Sequence, residues 1–410
     1  MFKSGKQDIH KVSYQWPYYD EQVIESVTDV LRSGKVNSWT GDKVREFEHA
    51  FANYTQCKYA IAVANGTLAL ELALYSLGIG IEDEVIVTSR SFIASASAII
   101  MRQATPVLAD VDYHTQNITS QTIEKVLSSR TRAIIVVHLA GLPCDMDPIM
   151  DLANKNGIKV IEDCAQAHGA CYKGRPVGSI GHIGAFSFCQ DKIISTGGEG
   201  GMLVTNDHYY WEKAWSYKDH GKNYDTVFNV HHSPGYRWLH ESFGTNWRLT
   251  EMQAAIGIVL LDRLPNWLKT RRKYADILTN ALKNTPGIYI YQPKVEEFCS
   301  YYKFYILVKP QHLKPNWSRD RIMNEISNLG VPCFNTYAGP MNWEKAFANN
   351  GLEQQSALTE SIRVGENCLQ FLVHPTISED DIHYTAEVIY YVMHQATDQG
   401  IDGMVAHTQN

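Results

Sequence analysis

Short apolar runs alternate with amphipathic stretches through the first half of the chain, from about residue 55 to residue 205. The apolar runs predict β-strands at residues 59–63, 84–88, 106–109, 133–137 and 159–161. The stretches between them predict helices at residues 67–77, 92–101, 121–129 and 147–156. Strands that alternate with helices are typical of an α/β fold with a mainly parallel, doubly wound sheet. Because such sheets bind ligands at the carboxyl ends of their strands, the residues that follow each strand are the first candidates for function.

The pattern changes after residue 246. It predicts two long helices at residues 250–264 and 268–282, separated at Pro265, because proline removes a backbone donor and breaks most helices. A strand at residues 301–308 and a helix at residues 320–329 are predicted beyond them. We therefore expect a large α/β domain with an N-terminal helical segment at residues 15–265, a smaller C-terminal α+β domain at 266–396, and a loosely ordered tail at 397–410.

The composition argues against several classes of protein. The 410 residues are 44% hydrophobic and carry a net charge of -7 without a basic block, so neither nucleic acid nor a membrane is an expected partner. The sixteen histidines are scattered, and no metal site is expected. The eight cysteines include no Cys-x-x-Cys pair, so we interpret them as reduced packing residues of a cytoplasmic protein.

Lys192 is the strongest candidate for chemistry. It ends the run Gly-Ala-Phe-Ser-Phe-Cys-Gln-Asp-Lys at residues 184–192, and Asp163 ends an apolar run upstream. A lysine amine forms a Schiff base with the aldehyde of pyridoxal phosphate, and a buried carboxylate keeps the ring nitrogen of that cofactor protonated. Taken alone, Lys192 would be interpreted as a solvated surface charge. Asp163 changes that interpretation, because a carboxylate at the end of an apolar strand is costly without a partner.

Further side chains near the predicted strand ends fit the same cofactor. Gly66 and Thr67 open a helix whose free N–H groups suit a phosphate, and Ser187 offers a hydroxyl to the same group. Phe92 is positioned to stack on the cofactor ring, and Gln166 to reach its phenolic oxygen. Each has a plainer interpretation from the residues alone: an ordinary strand–helix turn, a buried strand serine, a core phenylalanine or an exposed amide.

Seven segments are informative through their combination and their order along the chain. They are residues 34–41 (GKVNSWTG), 64–70 (ANGTLAL), 137–148 (VHLAGLPCDMDP), 162–169 (EDCAQAHG), 186–192 (FSFCQDK), 219–222 (DHGK) and 244–257 (GTNWRLTEMQAAIG). Together they resemble the DegT/StrS-type nucleotide-sugar aminotransferases, which depend on pyridoxal phosphate and form a branch of the fold-type I, aspartate aminotransferase-like superfamily. The resemblance extends from about residue 15 to residue 395. It implies the fold-type I architecture, in agreement with the α/β pattern.

The resemblance implies the roles given above for the candidates between residues 66 and 192. It adds Asn246, which would reach the phosphate of the neighbouring subunit's cofactor in a homodimer. His220 lies in the 219–222 segment, and a structural histidine is an equally good interpretation of it. Some relatives carry a histidine in place of Lys192 and remove a sugar hydroxyl, so the retained lysine favours transamination. Ala140 and the segment 334–340 depart from the common pattern, which puts the shape of the sugar pocket in question and leaves the chemistry untouched.

The expected reaction moves an amino group from L-glutamate to a nucleotide-linked 4-keto-6-deoxyhexose. Resemblance of residues 34–41 and 330–334 to one sub-branch favours dTDP-4-keto-6-deoxy-D-glucose, whose amino product would enter an O-antigen or related surface glycan. A 3-ketosugar and a GDP- or UDP-linked sugar are alternatives. A regulator that binds pyridoxal phosphate without turnover is disfavoured by the complete reactive set. An NAD-dependent oxidoreductase is disfavoured because the glycine-rich segment 197–201 lacks Gly-x-Gly-x-x-Gly spacing and suits a tight turn.

Overall fold

The computed structural model describes residues 10–231, 239–335, 339–352 and 357–397. Its β-strands, in chain order, are β1 Tyr59–Val63, β2 Glu84–Thr88, β3 Thr105–Ala109, β4 Thr131–Val137, β5 Lys159–Asp163, β6 Cys171–Tyr172, β7 Arg175–Pro176, β8 Ile183–Ser187, β9 Gly201–Thr205, β10 Ile288–Tyr289, β11 Glu297–Phe298, β12 Phe304–Val308, β13 Cys333–Phe334 and β14 Cys368–Phe371.

Its α-helices are α1 Glu21–Ser33, α2 Lys43–Thr55, α3 Gly66–Ser76, α4 Ala94–Met101, α5 Ser120–Glu124, α6 Met146–Lys155, α7 His208–Lys218, α8 Tyr224–Phe228, α9 Glu251–Leu282, α10 Arg319–Asn328, α11 Lys345–Asn349, α12 Thr359–Asn367 and α13 Glu379–Ala396. Among the described residues, none of these helices combines the length and the apolar character needed to span a bilayer.

A seven-stranded sheet with the order β1-β9-β8-β5-β4-β2-β3 forms the centre of the larger part. Strands β3, β2, β4, β5 and β8 run parallel, whereas β9 runs antiparallel to both β8 and β1. Alternate residues face opposite layers: Val85 and Val87 pack into the core that holds α3 and α4, and Ile86 packs with α6. Because helices cover both faces, the predicted doubly wound, mainly parallel α/β sheet is confirmed.

A smaller antiparallel sheet with the order β10-β12-β14-β13 belongs to the C-terminal part of the chain. Its apolar face shares one core with residues of α10 and α13 and with the last turns of α9. Val12 joins this core from the N-terminal segment, and its N–H donates to the Gly330 carbonyl oxygen at 3.1 Å. Both ends of the described chain therefore pack on the smaller sheet. A separate three-stranded sheet has the order β11-β6-β7.

The expected break at Pro265 is wrong, because α9 continues through it as one helix of 32 residues. Proline removes the hydrogen bond that residue 265 would donate one turn back, to the carbonyl of Leu261. Burial of Leu261, Leu264 and Leu268 on both sides of the proline holds the two halves in line. The domain boundary predicted at residue 265 falls within this helix, and the division into two domains stays a prediction.

Other boundaries shift by a few residues. The strand predicted at residues 301–308 begins at Phe304, and the helix predicted at 121–129 ends at Glu124. The glycine-rich segment 197–201 is a turn, as predicted, with positive φ at Gly197, Gly198 and Gly200. The expectation of a loose tail is wrong at its first residue, since Thr397 is buried and its N–H donates to the Met393 carbonyl oxygen. Residues 398–410 and the middle of the segment 334–340 lie outside the described residues.

Candidate active site

The turn between β1 and α3 lies against the end of β8. Asn65 caps α3, since its side-chain oxygen accepts a hydrogen bond from the Leu68 N–H at 2.9 Å. The first helical N–H groups, those of Gly66 and Thr67, have no partner within the helix. A Cβ on Gly66 would lie 2.5 Å from the Cβ of Ser187, so glycine is what allows this close approach. Two backbone donors and one hydroxyl therefore meet in a cradle suited to a phosphate.

Asp163 ends β5 inside the protein, with 4% of its surface exposed. The Ser95 hydroxyl donates to its Oδ2 at 2.8 Å, and the Ala165 N–H donates to its Oδ1 at 3.1 Å. Burial raises the pKa of Asp163, while these two hydrogen bonds and the charge of Lys192 lower it. The site therefore contains a desolvated carboxyl whose anionic form an adjacent cation would stabilise.

Gln166 is fixed at the same wall. It is 4% exposed, and its Oε1 accepts the Ala140 N–H at 2.8 Å. The alternative of an exposed amide at a helix start is thus wrong. Ala140 adopts a left-handed conformation with φ of 55° in the short turn after β4. Its contact with Gln166 is made by the backbone, so the unusual residue at position 140 does not alter it.

Lys192 is a wall residue with 16% of its side chain exposed. Its Nζ lies 3.6 Å from Asp191 Oδ1 and 5.0 Å from the centre of the Tyr302 ring. The Tyr302 hydroxyl in turn donates to the Asp191 carboxylate. The Lys192 carbonyl oxygen accepts the indole N–H of Trp16 at 2.8 Å, which ties the N-terminal segment to the site. Lys192 is therefore not a solvated surface charge.

These groups open into one cavity of about 970 Å³ between the two sheets. This volume is at the upper end of the range of roughly 300–1,000 Å³ that is usual for small-molecule sites. Phe92, 61% exposed, lines it and marks the open side, so the alternative of a core phenylalanine is wrong. The predicted site residues that line the cavity are Gly66, Thr67, Phe92, Asp163, Gln166, Ser187 and Lys192.

Asn246 and His220 do not line this cavity. Asn246 is exposed and pairs with Asp219 in an isolated β-bridge. Asp219 is 2% exposed and forms ion pairs with Lys222 at 3.2 Å and Arg248 at 2.9 Å. The side chain of His220 is exposed, and its backbone is in a left-handed turn. Within one chain, the 219–222 segment therefore shapes the surface that presents Asn246.

One group of metal-ligand types occurs in the described residues: His138, Glu162 and Cys164, all buried. The Cys144 N–H donates to His138 Nδ1 at 3.0 Å, so the ring proton is on Nε2, which donates to Glu162 at 3.0 Å. The Glu162 carboxylate also accepts three backbone N–H groups, those of Gly178, Ile180 and Gly181. Because hydrogen bonds already satisfy the histidine and the carboxylate, this group fixes a loop without a metal.

The sequence interpretation missed several wall residues. Ser95 is a polar residue on the buried face of the otherwise apolar helix α4. That polar position in an apolar run was the one sequence signal that could have indicated a site residue. Trp16, Arg271, Lys303 and His374 also line the cavity. They come from distant parts of the chain and carry no local motif, so the sequence alone offered no signal for them.

The residues present fit pyridoxal phosphate. The cradle at Gly66 and Ser187 matches a phosphate, a Cβ would close it, and the partly compensated carboxyl of Asp163 matches a protonated ring nitrogen. Lys192, in the wall of the same cavity, supplies the amine that such a cofactor requires.

Comparisons with known proteins agree with this geometry. The profile of the DegT/DnrJ/EryC1/StrS aminotransferase family matches residues 17–390. The chain is similar to a solved aminotransferase from Psychrobacter cryohalolentis, with 51% identity, a TM-score of 0.91, and coverage of 93% of this chain and 99% of that one.

The alignments with two curated relatives cover most of this chain and most of each relative. GDP-perosamine synthase from Escherichia coli O157:H7 is 33% identical over 365 residues, which are 89% of this chain and 94% of the relative. The dTDP-3-amino-3,6-dideoxy-alpha-D-galactopyranose transaminase from Aneurinibacillus thermoaerophilus is 34% identical over 375 residues, or 90% of this chain and 95% of the relative.

Proposed function

Because this chain belongs to the DegT/DnrJ/EryC1/StrS aminotransferase family, and is an aminotransferase with pyridoxal phosphate as its cofactor, we propose that it moves an amino group from L-glutamate to the keto group of a nucleotide-linked sugar. The first candidate acceptor is a nucleotide-linked 4-keto-6-deoxyhexose, dTDP-4-keto-6-deoxy-D-glucose. The observation that carries the proposal is the convergence of Lys192, Asp163 and the cradle at Gly66 on one cavity. Family membership argues against the NAD-dependent oxidoreductase. The presence of both Lys192 and Asp163 at the cavity argues against a regulator without turnover.

Each of these groups has a task that its position supports. Bound pyridoxal phosphate supplies an aldehyde that captures amines and a ring that accepts electrons while protonated. Asp163 holds the proton at the ring nitrogen, because a buried carboxylate is stabilised by a cation beside it. The Lys192 amine acts as general base and acid at the reacting carbon. Gly66, Thr67 and Ser187 hold the phosphate and so fix the ring position.

We further propose a homodimer in which Asn246 completes the cofactor site of the neighbouring subunit. Its exposure, and its position outside the cavity of its own chain, support this arrangement. The ion pairs of Asp219 with Lys222 and Arg248 hold in place the backbone that pairs with Asn246. A residue held rigidly at the surface is suited to reach a second copy of the chain.

The shared site has a direct test. Asn246→Ala and Lys192→Ala should each be inactive in a homodimer. Random mixing of the two variants should restore activity to at most about a quarter of the sites, because half of the dimers are mixed and each of these regains one complete site. If mixing restores no activity, Asn246 acts within its own chain. If Asn246→Ala is active before mixing, Asn246 is not part of the site. Asn154→Ala, which removes an exposed amide on α6, is the matched control and should behave as wild type.

The acceptor is tested with a panel of sugars. One curated relative is named for a GDP-linked product and another for a dTDP-linked 3-amino sugar, so both the nucleotide and the keto position have to be varied. Enzyme, glutamate and each nucleotide-linked 3- or 4-ketosugar are incubated together, and the products are identified by mass spectrometry and NMR. Amination of the dTDP-linked 4-ketosugar alone supports the first candidate. Preference for a GDP-linked or 3-keto acceptor replaces that candidate and keeps the aminotransferase assignment.

The amino donor is tested separately. Glutamate should shift the visible absorbance of the holoenzyme to shorter wavelength and release 2-oxoglutarate without any sugar. If no shift occurs with glutamate but one occurs with another amino acid, the donor assignment is wrong. Lys192→Ala serves as the control that lacks the proton-transfer amine.

A further inference from the structure

The cavity wall contributed by α9 and the smaller sheet contains two cations that form no close ion pair with the described residues. Arg271 lies in α9 and is 1% exposed, and Lys303 directly precedes β12. Both line the cavity, and in the described residues neither forms an ion pair. Burying a cation without a counter-charge is unfavourable, so the buried Arg271 in particular favours a ligand that compensates its charge.

Arg271 is held in place by the backbone. Its Nη1 donates to the carbonyl oxygens of Tyr301 at 3.2 Å and Tyr302 at 3.3 Å, and its guanidinium carbon lies 5.1 Å from the Trp16 ring centre. Its buried Nε has no hydrogen-bond partner among the described residues. Burial lowers the pKa of Arg271, which reflects the unfavourable desolvation of its charge. The guanidinium therefore remains a fixed donor with unused hydrogen-bonding capacity.

Lys303 has no hydrogen bond to the described part of the chain, and its nitrogen lies 4.9 Å from the Tyr302 ring centre. Burial lowers the pKa of Lys303 to about 8, the charge of Asp191 opposes this shift, and the charges of Arg271 and Lys192 add to it. The wall is therefore crowded with positive charge close to Lys192, the residue at the centre of the proposed chemistry.

His374 completes this wall without adding charge. Burial lowers its pKa to about 3, so the ring is neutral at physiological pH. The Thr376 hydroxyl donates to the Gln15 carbonyl oxygen at 2.7 Å, and so the 2.8 Å contact with His374 Nδ1 requires the ring to donate. The buried Nε2 is then an acceptor, so among these three side chains the cationic donors are Arg271 and Lys303.

We propose that Arg271 and Lys303 together bind a carboxylate of the amino-acid donor, an inference that rests on the function proposed above. A guanidinium held in place beside a second cation suits a carboxylate, which accepts hydrogen bonds on both oxygens. Arg271 is buried in the wall that Lys192 also lines, whereas Phe92 and Phe334, 61% and 41% exposed, mark the open side. In an amino acid the α-carboxylate is attached directly to the reacting carbon. The diphosphate of a nucleotide sugar is attached at a different ring carbon and lies farther from Lys192.

The test measures each half of the reaction separately. Lys303→Gln should raise the glutamate concentration that gives half-maximal reduction of the holoenzyme absorbance roughly 10- to 100-fold, the usual effect of losing a charged hydrogen bond. The reaction of the aminated enzyme with the ketosugar should change less than about threefold, since that substrate has no carboxylate. Arg271→Lys should also raise the glutamate concentration that is needed, because a single ammonium group replaces the several N–H donors of the planar guanidinium.

Arg272→Gln is the matched control. This residue is next to Arg271 on α9, has the same charge, and lines a different groove, where its Nη1 donates to the Cys299 carbonyl oxygen at 3.0 Å. It should leave both half-reactions as in wild type. Thermal melting identifies an Arg271 variant that does not fold, and Lys303→Gln then decides the question.

Direct binding gives a readout that does not depend on turnover. Glutarate, an unreactive dicarboxylate, is titrated calorimetrically into wild type and Lys303→Gln, with inorganic pyrophosphate as the competing probe. Weaker glutarate binding in the variant supports the carboxylate site. Equal glutarate binding and equal glutamate use overturn it, and so does a defect confined to pyrophosphate and the ketosugar half-reaction. If wild type does not react with glutamate, the proposed function fails and the glutarate titration still tests the site.

Discussion

Gly66→Ala tests the phosphate cradle, because the structure gives the size of the perturbation. The added Cβ would lie 2.5 Å from Ser187 Cβ and 3.0 Å from Ser187 Cα and Oγ. Gly66 has no positive φ, so alanine meets no backbone strain there and the effect comes from this contact alone. Relief requires α3 and β8 to separate at the point where their donors converge.

Overpacking of this size costs about 1–3 kcal/mol. If separation removes one charge-assisted hydrogen bond to the phosphate, cofactor binding loses about 1.5–3 kcal/mol. The dissociation constant for pyridoxal phosphate should therefore rise by about 10- to 150-fold, at about 1.4 kcal/mol for each factor of ten. The unliganded protein should melt at most a few degrees earlier than wild type, because this cost is small relative to the unfolding enthalpy of a chain of 410 residues.

The assay is a spectroscopic titration of cofactor-free protein with pyridoxal phosphate. Gly80→Ala is the control, because the nearest atom to its added Cβ, the Arg102 carbonyl oxygen, is 4.0 Å away and its φ is not positive. That variant should bind the cofactor as wild type does. Wild-type affinity in Gly66→Ala would show that the turn before α3 does not hold the phosphate.

Four further outcomes are expected. Lys192→Ala should melt as wild type does and lose turnover, which is followed by 2-oxoglutarate release; turnover close to wild type would remove Lys192 from the chemistry. Asp163→Asn should retain cofactor but react with glutamate at least about 100-fold more slowly, because a neutral amide does not stabilise a protonated ring nitrogen; unchanged single-turnover rates would contradict this. Because burial lowers the pKa of Lys303 to about 8, its positive charge is lost as pH rises through that value. The ratio kcat/KM for glutamate should therefore fall above pH 8, and this fall should be shallower in Lys303→Gln. Pro265→Ala restores a backbone donor within α9 and should raise the melting temperature, with a stability gain of up to about 3 kcal/mol; a lower melting temperature would show that the helix depends on proline at this position.

Much of the fold was predictable because it depends on local patterns. Apolar runs gave β1 and β2 with the correct bounds, and the alternation of strands and helices gave the doubly wound sheet. Pro265 shows where such reasoning fails. Proline disfavours a helix locally, but buried leucines on either side stabilise one continuous helix, and that packing is a property of the whole fold.

The residues of the site likewise divide into those that local sequence patterns predict and those that only tertiary packing places there. Lys192, Asp163, Gly66 and Ser187 were predictable because each lies at the end of a strand or shortly after it, in a recognisable segment. A parallel sheet brings such positions to one edge. The sequence by itself thus determined the fold class and the residue types of a pyridoxal phosphate site. Only the tertiary structure placed Arg271, from the middle of a long helix, at the wall of that cavity. Its position is decided by how separate elements pack, and no local periodicity or spacing records contacts between residues so far apart in the chain.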